Sequence, residues 1–291
     1  MNRPVYLRRA ASCSAAGDGA ALADACLSRS APTRADVSFR SPAGEVTLPY
    51  FRIAPCADPG LKVAMAALAD PVILHSPRTG LYVGSTSSRI AEHERVYAAA
   101  LANTDAFPIR DPDQSRTAQD LHAHFAMQGP HYTLSTACSS AANALLYAAL
   151  ALRCGQLDDA LVVGVEQENS LSQQGFFGMM LTTREYCRPF DRNRSGIVLG
   201  EGAAALHLST DADGAHWQLL GGASTCDTLH PTNPAPDKIA TTMRMALADA
   251  GVHAGEITAI KAHGTATRAN DLAEGLGLTL VFGETPPPFT S

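Results

Sequence analysis

The 291-residue chain offers little to a polyanion. Its 22 lysines and arginines are outnumbered by 28 aspartates and glutamates, giving a net charge of -6 with no long block of either sign. That argues against nucleic acid or an anionic membrane held by bulk charge, and leaves docking of a protein on a local basic patch open. Long apolar runs are also missing. The longest, Ala144 to Leu152, is far short of the ~18 residues that mark a membrane span, and the start MNRPVYLRRAASCS lacks the uninterrupted apolar core of a signal peptide. The seven cysteines, at 13, 26, 56, 138, 154, 187 and 226, form no C-x-x-C pair and no Cys/His ligand spacing. No metal site is expected, and dispersed free thiols fit a reducing cytoplasm. Apart from the brief Pro286-Pro287-Pro288 there is no low-complexity tract.

What the chain does have is 46% hydrophobic residues, ample for one large core or two smaller ones. Ser28 to Gly60 is rich in Pro, Arg, Ser and Asp without a sustained period and reads as surface loop or short excursions between elements, as does Asn103 to Thr117. Between them Leu61 to Leu68 reads as a helix, and Gly80 to Ser87 as a short strand breaking into a hydroxyl-rich loop. Tyr132 to Thr136 has the character of a strand end, and Leu161 to Val165 that of a strand covered on both faces. Ser139 to Cys154 is an Ala/Leu-rich helix, apolar almost all round, and should be buried on most sides. Gly202 to Leu208 returns to strand. Asp237 to Ala250 is amphipathic, with Ile239, Met243, Leu247 and Ala250 on one face, Asp237 as its cap and Gly251 as its stop. Ile257 to Ala262 is the next strand, leading into His263. Strands alternating with helices imply a layered α/β architecture.

The stretch Thr136 to Leu146, TACSSAANALL, puts Cys138 at the turn between a strand and a helix. There, unpaired backbone N–H groups and the positive end of the helix dipole favour a thiolate and can hold an oxyanion. Placement alone leaves an inert buried thiol equally open, since free cysteine is among the most buried residue types. His122 and His124, an i, i+2 pair on opposite sides of a helix, make a poor metal site.

The surrounding text resembles the β-ketoacyl synthases, condensing enzymes of the thiolase superfamily. Ser135 to Ser140 followed by the alanine-rich helix is similar to their nucleophile segment. Arg188-Pro189-Phe190-Asp191 through Arg194, with Gly196 to Ala203 (GIVLGEGA), looks like their Pro-Phe-Asp, Arg and Gly-Glu-Gly-Ala signature. Asp227 to Pro236 (DTLHPTNPAP) is similar to their Asp-x-x-His and proline loop. Lys261 to Glu274 (KAHGTATRANDLAE) looks like their His-Gly-Thr-x-Thr and Asn-Asp-x-x-Glu segment. Gly80 to Ser88 and Gly129 to Leu134 look most like the branch found in aryl-polyene-type pathways.

The resemblance implies a thiolase-like duplicated αβαβα core whose second half is incomplete: residues 1–208 as an N-terminal half with the nucleophile cysteine, and 209–291 as a partial C-terminal half. It gives Cys138 the acyl chain delivered on the phosphopantetheine arm of an acyl carrier protein, and His263 the malonyl thioester carbonyl during decarboxylation. The step needs no metal and is driven by loss of carbon dioxide, so no independent cofactor is implied. Phe176, Phe177 and His230 are candidates for the substrate pocket, with Thr265 and Thr267 beside them, although the two phenylalanines read equally as core. Asp191, Arg194, Glu201, Asn270, Asp271 and Glu274 are expected to brace the site rather than exchange protons with substrate. A homodimer, or a heterodimer with a related subunit, is implied.

Two departures sit inside the matched region: Ser195 where Asp is frequent, and Arg268 where Pro is common. Beyond Phe282-Gly283 the family continues with a lysine, a second catalytic histidine and a Gly-Phe-Gly-Gly loop. This sequence reads Glu284 to Ser291 instead, so a fragment is expected, acylated at Cys138 but poor at condensation. Two other readings stay open: a non-catalytic partner of the chain-length-factor kind, and a cysteine thioester hydrolase using Cys138, His263 and Asn270. A thiolase is disfavoured, because its second cysteine has no counterpart here.

Overall fold

A computed structural model describes residues 3–42, 44–54, 58–67, 74–87, 89–103, 113–228 and 234–291. In chain order its first elements are β1 (Tyr6–Ser14), β2 (Gly17–Asp18), α1 (Gly19–Ser28), β3 (Ala35–Ser41), β4 (Gly44–Phe51), α2 (Pro59–Ala67), β5 (Thr79–Gly84), α3 (Ile90–Asn103), α4 (Arg116–His124) and β6 (His131–Leu134). They are followed by α5 (Ser140–Arg153), β7 (Asp159–Glu166), α6 (Ser170–Gly178), β8 (Leu199–Gly200), β9 (Gly202–Ser209), β10 (Trp217–Gln218), α7 (Pro236–Ala250), β11 (Ile260–Lys261), α8 (Arg268–Phe282) and β12 (Phe289–Thr290). The chain divides into two compact units. The first comprises Met1–Ala35, Tyr50–Gln173 and Gly200–Leu219, the second Asp36–Pro49, Gln174–Leu199 and Leu220–Ser291.

The first unit is built on one mixed sheet, strand order β10-β1-β9-β7-β5-β6, with β2 paired to β1. β5 runs parallel to β6 and β7, whereas β7 and β1 both run antiparallel to β9. Because side chains alternate across a strand, the apolar runs of β5 and β7 feed two cores. Leu81, Val83, Leu161 and Val163 face one side with Val63 of α2 and Leu121 of α4, while Tyr82, Ala160 and Val162 face the other with Ala144, Ala148 and Leu152 of α5. Each fully buried Leu or Val contributes about 1.5–3 kcal/mol, which is why β7 has almost no polar residue before Glu166.

In the second unit α7 packs on α8. A Cβ on Gly277 would stand 2.8 Å from Ile239 Cγ2, so glycine permits that close approach. β11 runs parallel to β12. Ile239, Met243, Leu247 and Ala250 line one partly covered face of α7, as their spacing indicates, and Gly251 ends the helix in the left-handed conformation at φ 66°.

Three expectations are corrected. Ser28 to Gly60 is not loop throughout, since β3 and β4 lie within it as part of a three-stranded sheet β3-β4-β8. Val37, Val46 and Leu48 point inward at a period of two, which the intervening Asp, Ser, Arg and Pro residues obscure. Asp237 does not cap α7: Ala235 occupies the cap, without a side-chain bond, and Pro236 is the first helical residue. The strand over Ile257 to Ala262 shrinks to Ile260–Lys261. α5 is buried over eight of its fourteen residues, as its apolar text indicates, with Tyr147 and Leu150 left 53% and 41% exposed. Of Asn103 to Thr117, residues 104–112 lie outside the described residues, and Arg116 and Thr117 open α4.

Candidate active site

Cys138 stands in the turn joining β6 to α5 and is exposed. Ala137, immediately before it, has φ 53°, a left-handed conformation that costs a residue with a Cβ about 1–2 kcal/mol. The turn is held from within. Ser139 N–H and Oγ both donate to the Thr136 carbonyl, and Ser140 N–H and Oγ to that of Ala137. Asn143 Nδ2 reaches back 2.8 Å to Thr136 Oγ1. The first turn of α5 carries no acidic side chain and no side-chain cap, so nothing there neutralises the positive end of the helix beside the thiol.

Close packing lets the helix start where it does. A Cβ on Gly84 would lie 2.5 Å from the Cα and N of Ala141, and one on Gly164 would lie 2.9 Å from Ala141 Cβ. These two glycines, at the ends of neighbouring strands β5 and β7, admit the α5 backbone onto the sheet. The sequence reading missed them as site-building residues. Their signal was a glycine near the end of each of two apolar strands.

Glu201 lies in the same unit. Its carboxylate takes the Ile53 N–H at 2.9 Å and the Glu168 N–H at 3.1 Å, tying the segments after β4 and after β7 to the start of β9. Burial and the nearby Glu201 and Glu168 carboxylates push the Tyr50 phenol far above its ordinary value.

His263 belongs to the second unit, exposed just after β11. Its loop is drawn around two buried carboxylates. Glu274 accepts the N–H groups of His263 and Gly264 at 2.7 and 2.9 Å. Asp271 accepts those of Ala266 and Phe190 at 3.1 and 2.7 Å, which bonds the His263 loop and the Pro-Phe-Asp turn to one helix. Asp271 lies in the first turn of α8, where a carboxylate is favoured by the helix dipole, and Glu274 follows one turn further along. Asn270 Nδ2 lies 3.3 Å from Asp271 and 3.5 Å from Glu274.

Arg194 donates to the carbonyls of Asp191, Thr267 and Arg268 and lies 3.8 Å from Asp271. Asp191 Oδ1 caps its own turn at Asn193 N–H. Ser195, one of the two departures from the motif, pairs its hydroxyl with Thr183 at 2.9 Å. Thr265 and Thr267 share a 2.9 Å hydroxyl contact with each other.

Phe176 and Phe177 are half-buried on α6, and Phe177 packs edge-to-face on Phe39 with centroids 5.5 Å apart. His230 lies outside the described residues. Cys187 fits the inert reading, since burial pushes its thiol up. Among the described residues no group of three or more His, Cys, Asp or Glu side chains could hold a metal ion, and His122 lies 2.9 Å from the Gly129 carbonyl. No helix among them is long and apolar enough to cross a membrane.

The N-terminal domain family of the β-ketoacyl synthases matches residues 52–214, and the C-terminal domain family of the same enzymes matches residues 217–290. The chain belongs to the β-ketoacyl synthases. Among curated relatives of this synthase chain, nodulation protein E of Rhizobium meliloti is 32% identical over 201 residues, covering 66% of this chain and 50% of that protein. The 3-oxoacyl-[acyl-carrier-protein] synthase 2 of Vibrio cholerae is 33% identical over 248 residues, covering 77% and 60%. The chain thus spans about half the length of the first curated relatives it matches. A crystal structure of a β-ketoacyl synthase from Burkholderia phymatum matches at TM-score 0.83 and 25% identity, covering 99% of this chain and 80% of that one. The ishigamide ketosynthase/chain length factor matches at TM-score 0.82 and 26% identity over the same shares. The mixed α/β fold is that of the thiolase-like ketosynthases.

Proposed function

We propose that this β-ketoacyl synthase chain is a condensing acyltransferase whose nucleophile is Cys138. The observation that carries the reading is the turn itself: a strained Ala137 presents an exposed thiol at the uncompensated N-terminus of α5. In the acyl-transfer step Cys138 Sγ adds to the carbonyl of a carrier-bound thioester. Backbone N–H groups at the head of the helix stabilise the oxyanion, and the intermediate collapses with loss of the pantetheine thiolate, which takes up a proton.

In the condensation step the carboxylate–carbon bond of a malonyl thioester breaks and carbon dioxide leaves. The enolate adds to the acyl-cysteine carbonyl, and the Cys138 thiolate is released. His263 Nε2–H or Nδ1–H supplies the hydrogen bond that the enolate oxygen needs, on a loop fixed by Glu274 and Asp271.

The partner we assign is a second ketosynthase-type subunit. β6 ends its sheet, and Tyr132 on it is 51% exposed, as are Tyr147 and Leu150 of the adjacent α5 in similar measure. Such an apolar strand edge is satisfied by a subunit that adds a strand. A ketosynthase and a chain length factor are named together in the ishigamide structure.

The test is incubation with an acyl carrier thioester, followed by intact-protein mass measurement of wild type and Cys138→Ala. An acyl mass gained by the wild type and absent from the variant supports the reading. No adduct on the wild type favours a non-catalytic partner subunit, and free acid without a stable adduct favours a hydrolase.

A further inference from the structure

A residue two elements away from Cys138 reaches its turn through a relay that the family signatures do not include. Thr86 lies in the hydroxyl-rich loop after β5, and its Oγ1–H donates to the Ala137 carbonyl at 2.9 Å. That carbonyl belongs to the strained peptide directly preceding the thiol. The Thr86 loop is itself anchored by one carboxylate at the end of β7. Glu166 accepts the N–H of Thr86, the N–H of Ser87 at 3.2 Å and the Ser87 hydroxyl at 2.5 Å. Ser87 is buried, and Ser85 N–H also bonds the Leu134 carbonyl at the end of β6 at 3.2 Å.

We infer that Glu166, acting through Thr86, is a positioning device that holds the Ala137–Cys138 peptide in its left-handed turn and so sets the thiol for reaction. Three features converge on this. The Ala137 conformation is one that a residue with a Cβ leaves unless surrounding bonds over-determine it. Thr86 supplies a bond to it from outside the turn, whereas Ser140 supplies the internal ones. Glu166 is the last residue of a strand fixed on both sides by β5 and β9, so its carboxylate is a rigid anchor. Charge-assisted bonds to one carboxylate are stronger than neutral ones and fix the loop geometry that aims Thr86. Neither Glu166 nor Thr86 touches the reacting atoms. Their effect passes through the peptide, and it rests on the reading of Cys138 as the reactive thiol.

The test compares Thr86→Val, Thr86→Ser and Glu166→Gln with wild type. Its first readout is the rate at which iodoacetamide alkylates Cys138, followed by peptide mass spectrometry with the exposed Cys26 and Cys154 of the same molecule as internal references. In that reaction the thiolate displaces iodide as the C–S bond forms. Loss of the Thr86 bond should slow Cys138 alkylation about 3- to 10-fold, the range of one hydrogen bond, while the reference thiols keep their rates. Thr86→Ser keeps the donor and should stay within about twofold, and Glu166→Gln, which offers an amide N–H2 where an acceptor is needed, should follow Thr86→Val.

Wild-type rates in both Thr86→Val and Glu166→Gln overturn the inference, as does an equal slowing by Thr86→Ser. If Thr86→Val fails to fold, the remaining pair decides in the same way. A slowed Glu166→Gln beside an unaffected Thr86→Ser supports the relay, and two unaffected variants refute it. The second readout is acyl transfer from a carrier thioester. A wild type that is never acylated, while the alkylation pattern holds, sinks the acyltransferase reading and leaves the positioning relay standing.

Discussion

His263 hangs from Glu274: the backbone N–H of the histidine meets Glu274 Oε1 at 2.7 Å, and the other oxygen of the same carboxylate holds the next residue, Gly264. A carboxylate has acceptors on both oxygens, so one buried side chain fixes two successive peptides. Gly264 is there because the loop turns at φ 49° and a Cβ would run into Ser291.

Glu274→Gln should therefore uncouple this loop without emptying the space. The amide retains one acceptor oxygen and presents N–H2 to the second peptide N–H, leaving a buried donor unpaired at a cost of about 1–3 kcal/mol. The urea unfolding midpoint should fall accordingly with an unchanged slope, and a wild-type midpoint would refute the bracing role.

Asp271→Ala should cost more. The aspartate receives the Ala266 and Phe190 N–H groups and faces the Arg194 guanidinium, and its side chain is 1% exposed. Removing it strands two donors and a largely buried cation, for a loss of about 3–5 kcal/mol. Equilibrium denaturation measures this directly, and Asn at the same position should recover part of the loss by keeping one acceptor.

Gly84→Ala should push the start of α5 off its sheet, because the added methyl would lie 2.5 Å from Ala141 backbone atoms that cannot rotate away. Overpacking of this kind costs about 1–3 kcal/mol, read as a lower melting temperature. Gly202→Ala is the control: it lies in β9 of the same sheet, and its Cβ would meet nothing within 4 Å.

Acid should weaken the first unit partly through Asp158. Hydrogen bonds from Arg78, and then from Arg3, hold its carboxyl at about 2, below the ordinary 3.8. A depressed value means that the folded state binds the proton less readily than the unfolded chain. The contribution is therefore complete above 3.8 and is lost as pH falls to about 2. Asp158→Asn should be less stable than wild type above that window, and the difference should shrink across it. The carboxylate is partly exposed, so added salt should reduce the difference as well.

Much of the first unit was legible in the sequence. A continuous apolar run announced β7, because a strand covered on both faces has no polar side to alternate with, and Gly80 to Ser87 announced β5 as a short strand breaking into a loop. The Ala/Leu-rich stretch after Cys138 announced α5. β3 and β4 were hidden because the charged, hydroxyl and proline residues between their inward-facing Val37, Val46 and Leu48 resemble loop text. The strand before His263 was overestimated, since Ile257, Thr258 and Ile260 have strand propensity but only Ile260–Lys261 find a partner in β12.

Residue types and their order determined the layered α/β fold, the family and a thiol at the head of a helix, because each follows from local pattern or from motif text. Three things waited for the tertiary structure. One is the left-handed Ala137. Another is the pair of glycines, Gly84 and Gly164, that seat α5 from two different strands. The last is the choice of which carboxylates hold which peptides: Glu274 and Asp271 for the histidine loop, Glu166 for the loop beside Cys138. The reason is physical. A backbone N–H is the same donor at nearly every position, so its partner is decided only when folding brings distant segments within hydrogen-bond reach.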